Sequence, residues 1–167
     1  MQLTLAAARP FIRPCAVERN LEACLELAVR ADEEQADIVV FPQQTLVGAT
    51  AGQLAHLPDL IRAAKKARTE FFRRTRKLRP LFILDEHDRD VMFNGLRIAI
   101  RNGTGPFPAE ADLLLNPCAE PETVGALQRR RKRFAAFRGI AVYSGAGAGE
   151  STTDQVYAGD TLITCGG

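Results

Sequence analysis

Ala36-Asp37-Ile38-Val39-Val40-Phe41 is a compact, β-branched apolar run halted by Pro42. Such a run reads as a buried strand ending at the carboxyl edge of a sheet, where loops usually carry sites. Upstream, residues 3–8 form a short apolar strand. Val17, Leu21, Cys24, Leu25, Ala28 and Ala31 then recur at helical spacing up to the polar stretch around Glu34. Downstream, after a loop containing Gly and Thr, Leu60, Ala64, Ala67 and Phe71 define a second helix that Pro80 ends, and residues 81–84 give the next strand. Strand and helix therefore alternate through the first half, which predicts an α/β fold.

In the second half strands cluster. Residues 85–90 read as a polar turn and 91–100 as one strand-like stretch, broken at Asn102-Gly103 and Gly105-Pro106. A buried strand is expected over 111–116, and a basic helix over about 123–137. Gly139 leads into a strand over 140–143, and after a Gly-rich loop a last strand is expected over 155–164. No internal repeat, low-complexity tract or linker interrupts the chain. With 167 residues and 46% hydrophobic content, a single domain over residues 1–167 with a real core is expected.

Several classes are excluded early. No apolar run approaches the roughly 20 residues of a membrane span, and the start lacks a basic segment followed by a long apolar stretch, so a cytoplasmic protein without a membrane partner is expected. Cys15, Cys24, Cys118 and Cys165 form neither a CxxC pair nor a zinc-like spacing with His56 and His87. Reduced structural thiols and no metal are expected. Net charge is +2, yet nearly every charge within residues 62–79 is positive and Arg129, Arg130, Arg131, Lys132 and Arg133 are consecutive, which predicts two basic helix surfaces.

Two ordered motifs carry a resemblance. Val40-Phe41-Pro42-Gln43, followed by Leu46-Val47-Gly48-Ala49-Thr50-Ala51-Gly52, is similar to V-F-P-E-x-x-L-T-G-Y-T-C. Ala146-Gly147-Ala148-Gly149-Glu150-Ser151-Thr152-Thr153-Asp154 resembles A-G-E-G-E-S-T-T-D. Both patterns belong to the glutaminase domain of glutamine-dependent NAD synthetases, within the nitrilase or carbon-nitrogen hydrolase superfamily. Between them, Phe93-Asn94-Gly95 to Gly103 resembles the family's Y-N strand, and residues 111–125 resemble its N-x-S-A-S-x-E-T-x-G segment. The resemblance implies a four-layer αββα sandwich, truncated here because Gly105 is followed almost at once by the strand near Ala111.

Enzymes of that family use a Glu base, a Cys nucleophile and a Lys that stabilises the oxyanion. The resemblance places Gln43 at the Glu position, where a neutral amide cannot accept a thiol proton. The segments bearing the Lys and the Cys fall within the internal deletion. Ala49 stands where the family has an aromatic residue, Cys118 and Glu120 stand at its two serines, and Ala126 stands at a basic residue. Gln43, Ala49, Cys118, Glu120 and Ala126 thus mark a vestigial pocket with no intact catalytic residue and no cofactor. Glu120 would oppose a substrate carboxylate. Gln43 is expected to be a satisfied amide at a strand end, and Cys118 a structural thiol.

The expected role is an inactive, glutaminase-like domain acting as an oligomerisation or interaction module. A homo-oligomer is expected, and an NAD synthetase is a candidate partner. The deletion should shorten one sheet and expose an apolar face or strand edge. Residual amide hydrolysis through Cys118 is one alternative, and a nucleic-acid surface on the basic helices is another. The acidic stretches 32–34 and 85–86 weigh against the latter, as does the lack of aromatics free to stack on bases. The Gly-rich loop lacks the Gly-Lys-Ser/Thr ending of a P-loop. No ATP-dependent synthetase module follows the last expected strand, so NAD synthesis by this chain alone is not expected.

Overall fold

Three short parallel strands form where the N-terminal apolar runs lie: β1 (Leu5–Ala7), β2 (Ile38–Val40) and β3 (Leu81–Ile83), in the order β1-β2-β3. This computed structural model describes residues 2–84, 87–147 and 149–166. Helix α1 (Val17–Glu33) returns the chain from β1 to β2, and α2 (Pro58–Thr75) from β2 to β3. A 3-10 segment, Ala49–His56, precedes α2, whose Pro58 occupies a first-turn position that needs no amide donor. The helix-spaced residues of α1 are all buried, and with Ala67 and Phe71 of α2 they cover one face of the sheet. Phe71 sits at the centre, edge-on to Phe41, Phe72 and Phe82 at centroid distances of 5.4–5.6 Å.

The second sheet has five strands in sequence order: β4 (Arg89–Phe93), β5 (Leu96–Ile100), β6 (Leu113–Cys118), β7 (Ile140–Gly145) and β8 (Thr161–Cys165). The central pairs β5-β6 and β6-β7 are parallel, and the outer pairs β4-β5 and β7-β8 are antiparallel. Ile98, Ile100, Leu113, Leu115 and Val142 face Ile38, Val40 and Ile83 of the first sheet, making the inter-sheet core. On the far face Leu114, Cys118, Ala141 and Tyr143 pack against Phe134 and Phe137 at the end of α3 (Ala126–Ala135). The layers run helix, sheet, sheet, helix, which is the αββα sandwich in reduced form.

Three of the four parallel connections carry a helix. The fourth, residues 101–112 between β5 and β6, has none, although such a crossover usually needs one. Polar contacts and one aromatic ring hold this bare connection instead. Asn116 Nδ2 donates to the carbonyls of Arg101 and of Gly103, the latter at 3.0 Å. Arg133 donates to the carbonyls of Gly103 and Gly105. Its guanidinium lies 3.9 Å from the centroid of Phe107, which packs edge-on to Phe134.

Three sequence expectations change. The single stretch over 91–100 is a hairpin, because Asn94 (φ 49°) and Gly95 (φ 81°) make the two-residue left-handed turn that strand twist favours. Arg89 and Asp90 belong to β4 and not to a turn, while Asp85 and Glu86 lie outside the described residues. The last strand starts at Thr161 instead of 155, since the segment before it is a loop stitched by Ser151 and Thr152 hydroxyls to the amides of Tyr157, Asp154 and Gln155. On the two edge strands of this sheet, Met92 of β4 is 67% exposed and Ile163 of β8 is 49% exposed. Among the described residues no helix is long and apolar enough to cross a membrane, and no cluster of three His, Cys, Asp or Glu could hold a metal.

Candidate functional site

The two motifs that carry the resemblance meet through one carboxylate. Glu150, 2% exposed, accepts the Ala49 amide on Oε1 and the Gly147 amide, at 3.2 Å, on Oε2. Gly48 beside it has φ 93°, and a Cβ there would lie 3.0 Å from Pro14 Cα. A Cβ on Gly147 would fall 2.0 Å from the Gly159 amide nitrogen, so the loop closes only without a side chain there. Asn20, fully buried on α1, donates to the Leu46 carbonyl at 3.0 Å and exchanges two bonds with the Arg13 backbone. Ser144 Oγ donates to the Ala8 carbonyl at 2.7 Å, pinning one sheet to the other. This region is a structural junction built around a buried carboxylate.

Gln43 stands in the loop after β2, half-buried, and among the described residues its side chain has no hydrogen-bond partner. It stands at the strand end expected for it, open in part to solvent. Ala49 opens the 3-10 segment and contributes its backbone amide, not its methyl group, to the junction.

Cys118, Glu120 and Ala126 come together elsewhere. They line a cavity of about 230 Å³ on the far side of the five-stranded sheet, with Arg130, Arg133 and Tyr143; Gln43 and Ala49 do not line it. Strand alternation explains the separation, because Leu113 and Leu115 face the inter-sheet core while Leu114 and Cys118 face α3.

The chemistry of this cavity is muted. Cys118 is 1% exposed. Burial, then the Glu120 carboxylate, push its thiol above the ordinary range, outweighing the opposing pull of the Tyr143 hydroxyl. Burial also pushes the Tyr143 hydroxyl far upward. Neither group ionises near neutrality. The guanidinium of Arg130 is committed, donating to Asp160 at 2.7 Å and Glu122 at 3.0 Å while lying 4.6 Å from the Tyr143 centroid. Arg129 donates to the Thr123 hydroxyl at 2.6 Å and the Val124 carbonyl at 2.8 Å.

By sequence the 129–133 run forms one basic helix surface. The structure splits it: Arg131 and Lys132 are exposed, whereas the Arg130 side chain is only 11% exposed and Arg133 turns inward to the bare crossover. Phe71 and Phe134 are fully buried, and Phe137 nearly so, so none of these rings can stack on a base. The junction role of Glu150 was also missed. A carboxylate directly after Gly149 in a loop is its only local signal, and a loop folded back on itself to bury an acid is not visible from spacing.

No protein-family model and no curated protein sequence matches the chain. Solved structures do. The chain is similar to the glutamine-dependent NAD+ synthetase from Acinetobacter baumannii in complex with adenosine diphosphate, with TM-score 0.79 and 13% identity over 96% of this chain, and it spans only 41% of the synthetase's length. It is similar to a cysteine-to-alanine mutant of an amidase of the nitrilase superfamily from Nesterenkonia AN1, with TM-score 0.75 and 14% identity, covering 98% of this chain and 82% of the amidase. A glutamate-to-glutamine mutant of the amidase from Nesterenkonia sp. AN1, showing the result of Michael addition of acrylamide at its active site cysteine, matches with TM-score 0.72 and 14% identity, over 98% and 85% of the two chains. At such identities the likeness is one of fold. This chain has the nitrilase-like αββα fold seen in glutamine-dependent NAD+ synthetase and in nitrilase-superfamily amidase.

Proposed function

We propose that the chain is a catalytically silent nitrilase-like domain that acts by association and not by amide hydrolysis. The observation that carries this reading is the state of Cys118, which is buried, with its thiol raised by desolvation and by Glu120. A thiol held protonated is a poor nucleophile, and no imidazole lines its cavity to take the proton. The loss of the Glu at position 43 is the weaker argument, since a glutamate-to-glutamine mutant of the Nesterenkonia amidase is described with an acrylamide adduct on its active site cysteine. What matters is the nucleophile. Of the other thiols, Cys24 is buried in the α1 core, while Cys15 and Cys165 stand outside the cavity.

Ammonia release from glutamine and simple amides tests the reading, together with labelling by an electrophilic glutamine analogue. No turnover is expected, and Cys165, the exposed thiol, should label first. Turnover lost on Cys118→Ala would sink the proposal in favour of residual amide hydrolysis.

A further inference from the structure

Of the two basic runs in the sequence, the one at 129–133 is split by folding, whereas the one on α2 stays together at the surface. Within residues 58–79 nine side chains are cationic and two, Asp59 and Glu70, are carboxylates. The exposed Arg62, Lys65, Lys66 and Arg73 recur on one stripe of α2, with the exposed Thr69 between them, and Arg76 and Lys77 carry the stripe past the last turn. The buried Ala67, Phe71 and Thr75 mark the opposite face. At the helical rise the stripe runs about 21 Å from Arg62 to Arg76. Arg62 pairs with Asp59, and Arg73 meets Glu70 at 2.5 Å. Among the described residues Lys65, Lys66, Arg76 and Lys77 have no ion-pair partner.

The neighbouring α1 does not set a wall of acid against this stripe. Glu22 accepts from Arg74 at 2.5 Å, Glu34 from Arg30 at 2.9 Å, and Asp32 from the Arg79 amide at 2.7 Å. Two of the three acids at 32–34 are thus tied within the chain. Glu18, Glu26 and Glu33 share the exposed surface of α1 with Arg19 and Arg30, so that surface is of mixed sign.

The chemistry of the stripe selects its partner. A specific protein interface centres on apolar or aromatic anchors, and the stripe offers cations and one hydroxyl. Docking on a lipid surface needs apolar side chains among the cations, yet the exposed Leu54, Leu57 and Ile61 lie at or before the first turn of α2, at one end of the stripe. Single-stranded nucleic acid is held by rings that stack on bases. Here Phe71 is buried, and Phe72 is half-buried, edge-on to Phe71 with the Arg68 guanidinium 4.9 Å from its centroid. Duplex DNA needs only cations in a row, since it carries one charge per about 1.7 Å of its axis.

We propose that the stripe from Arg62 to Lys77 docks on the phosphate backbone of duplex DNA without reading its bases. This rests on the reading of the chain as an association module and names the partner. Lys65, Lys66, Arg76 and Lys77, which hold no carboxylate, make the phosphate contacts. With α1 packed alongside, α2 lies flat on the duplex and does not enter the major groove, so its side chains reach phosphates and not base edges.

Fluorescence anisotropy with labelled DNA duplexes of two unrelated sequences tests the surface across a salt series. Both duplexes should bind alike, with a slope of log affinity on log salt of about −3.6 for four neutralised phosphates, a loss of about a hundredfold between about 50 and 200 mM salt. The variants K65Q/K66Q and R76Q/K77Q, on exposed residues and checked for folding by circular dichroism, should each weaken both duplexes alike and flatten the slope by about 2. The pair R131Q/K132Q, on the exposed side of α3, should leave the slope at its wild-type value. No binding of either duplex at about 50 mM salt overturns the proposal, as does a slope that the α2 variants leave unchanged or that the α3 pair flattens equally. Tighter binding of a single strand, or capture by phosphatidylserine vesicles in place of duplex, overturns it too. The outcomes separate from the test of silence: a chain that binds duplex and releases ammonia leaves this surface standing, and an inactive chain that binds no duplex removes the surface alone.

Discussion

The two outer layers of the sandwich are held in different ways. Over the three-stranded sheet, α1 and α2 bury an apolar stripe centred on Phe71 and Phe41, and little polar chemistry is needed. Over the five-stranded sheet, the short α3 and the helix-free segment 101–112 rely on Arg133, Asn116 and Phe107 to close the face. Where the chain retains a helix in each crossover, burial of apolar area does the work. Where a helix is lacking, guanidinium and amide donors tie down carbonyls that a helix would have satisfied internally.

The sharpest way to break this contrast is a pair of truncations. Phe71→Ala should cost about 3–5 kcal/mol of unfolding free energy, as a fully buried ring leaves a cavity. Phe107→Ala, from a half-buried site, should cost distinctly less by denaturant titration. Equal losses would show the two layers to be held alike. Next in size is Glu150→Ala, which strands the Ala49 and Gly147 amides and should cost about 1–3 kcal/mol by the same measurement, with Glu150→Gln milder.

The thiol in the second layer makes a pH prediction. Below the ordinary thiol range both the folded and unfolded chains keep the Cys118 proton, and pH has no effect through this group. As the pH rises through that range only the unfolded chain ionises, so stability is lost, at up to about 1.4 kcal/mol per pH unit. Cys118→Ala should flatten the alkaline limb of a Tm-against-pH curve, and an unchanged limb would count against burial as the cause. The smallest effect is expected from Arg133→Lys. It keeps the charge but loses the fork that spans two carbonyls, and should cost about 1 kcal/mol, with faster hydrogen exchange confined to residues 101–112.

Much of the fold was readable because the signals are local. The 36–41 run, the helix-spaced residues of α1 and the Pro80 stop each depend on a few neighbours, and each reappears as β2, α1 and the end of the second crossover. The Asn94-Gly95 turn was equally local and was overlooked inside a longer apolar stretch. The candidate site was less legible. Cys118, Glu120 and Ala126 share a cavity, yet Gln43 and Ala49, placed beside them by motif likeness, lie apart. Likeness along the chain orders residues in sequence and says nothing about which face of a strand each side chain takes.

Periodicity and chain breakers were enough to specify an α/β chain, since these depend on residue type and near neighbours, and the resemblance carried by the two motifs added the expectation of a layered αββα sandwich. Folding settled the rest. It turned Cys118 toward α3, drew Arg130 and Arg133 inward from a run that looked solvated, and buried Glu150 between two loops about a hundred residues apart. Such outcomes depend on which face of each strand finds a partner and which backbone amides are left to satisfy. Both are properties of distant segments brought together, and no local pattern encodes them.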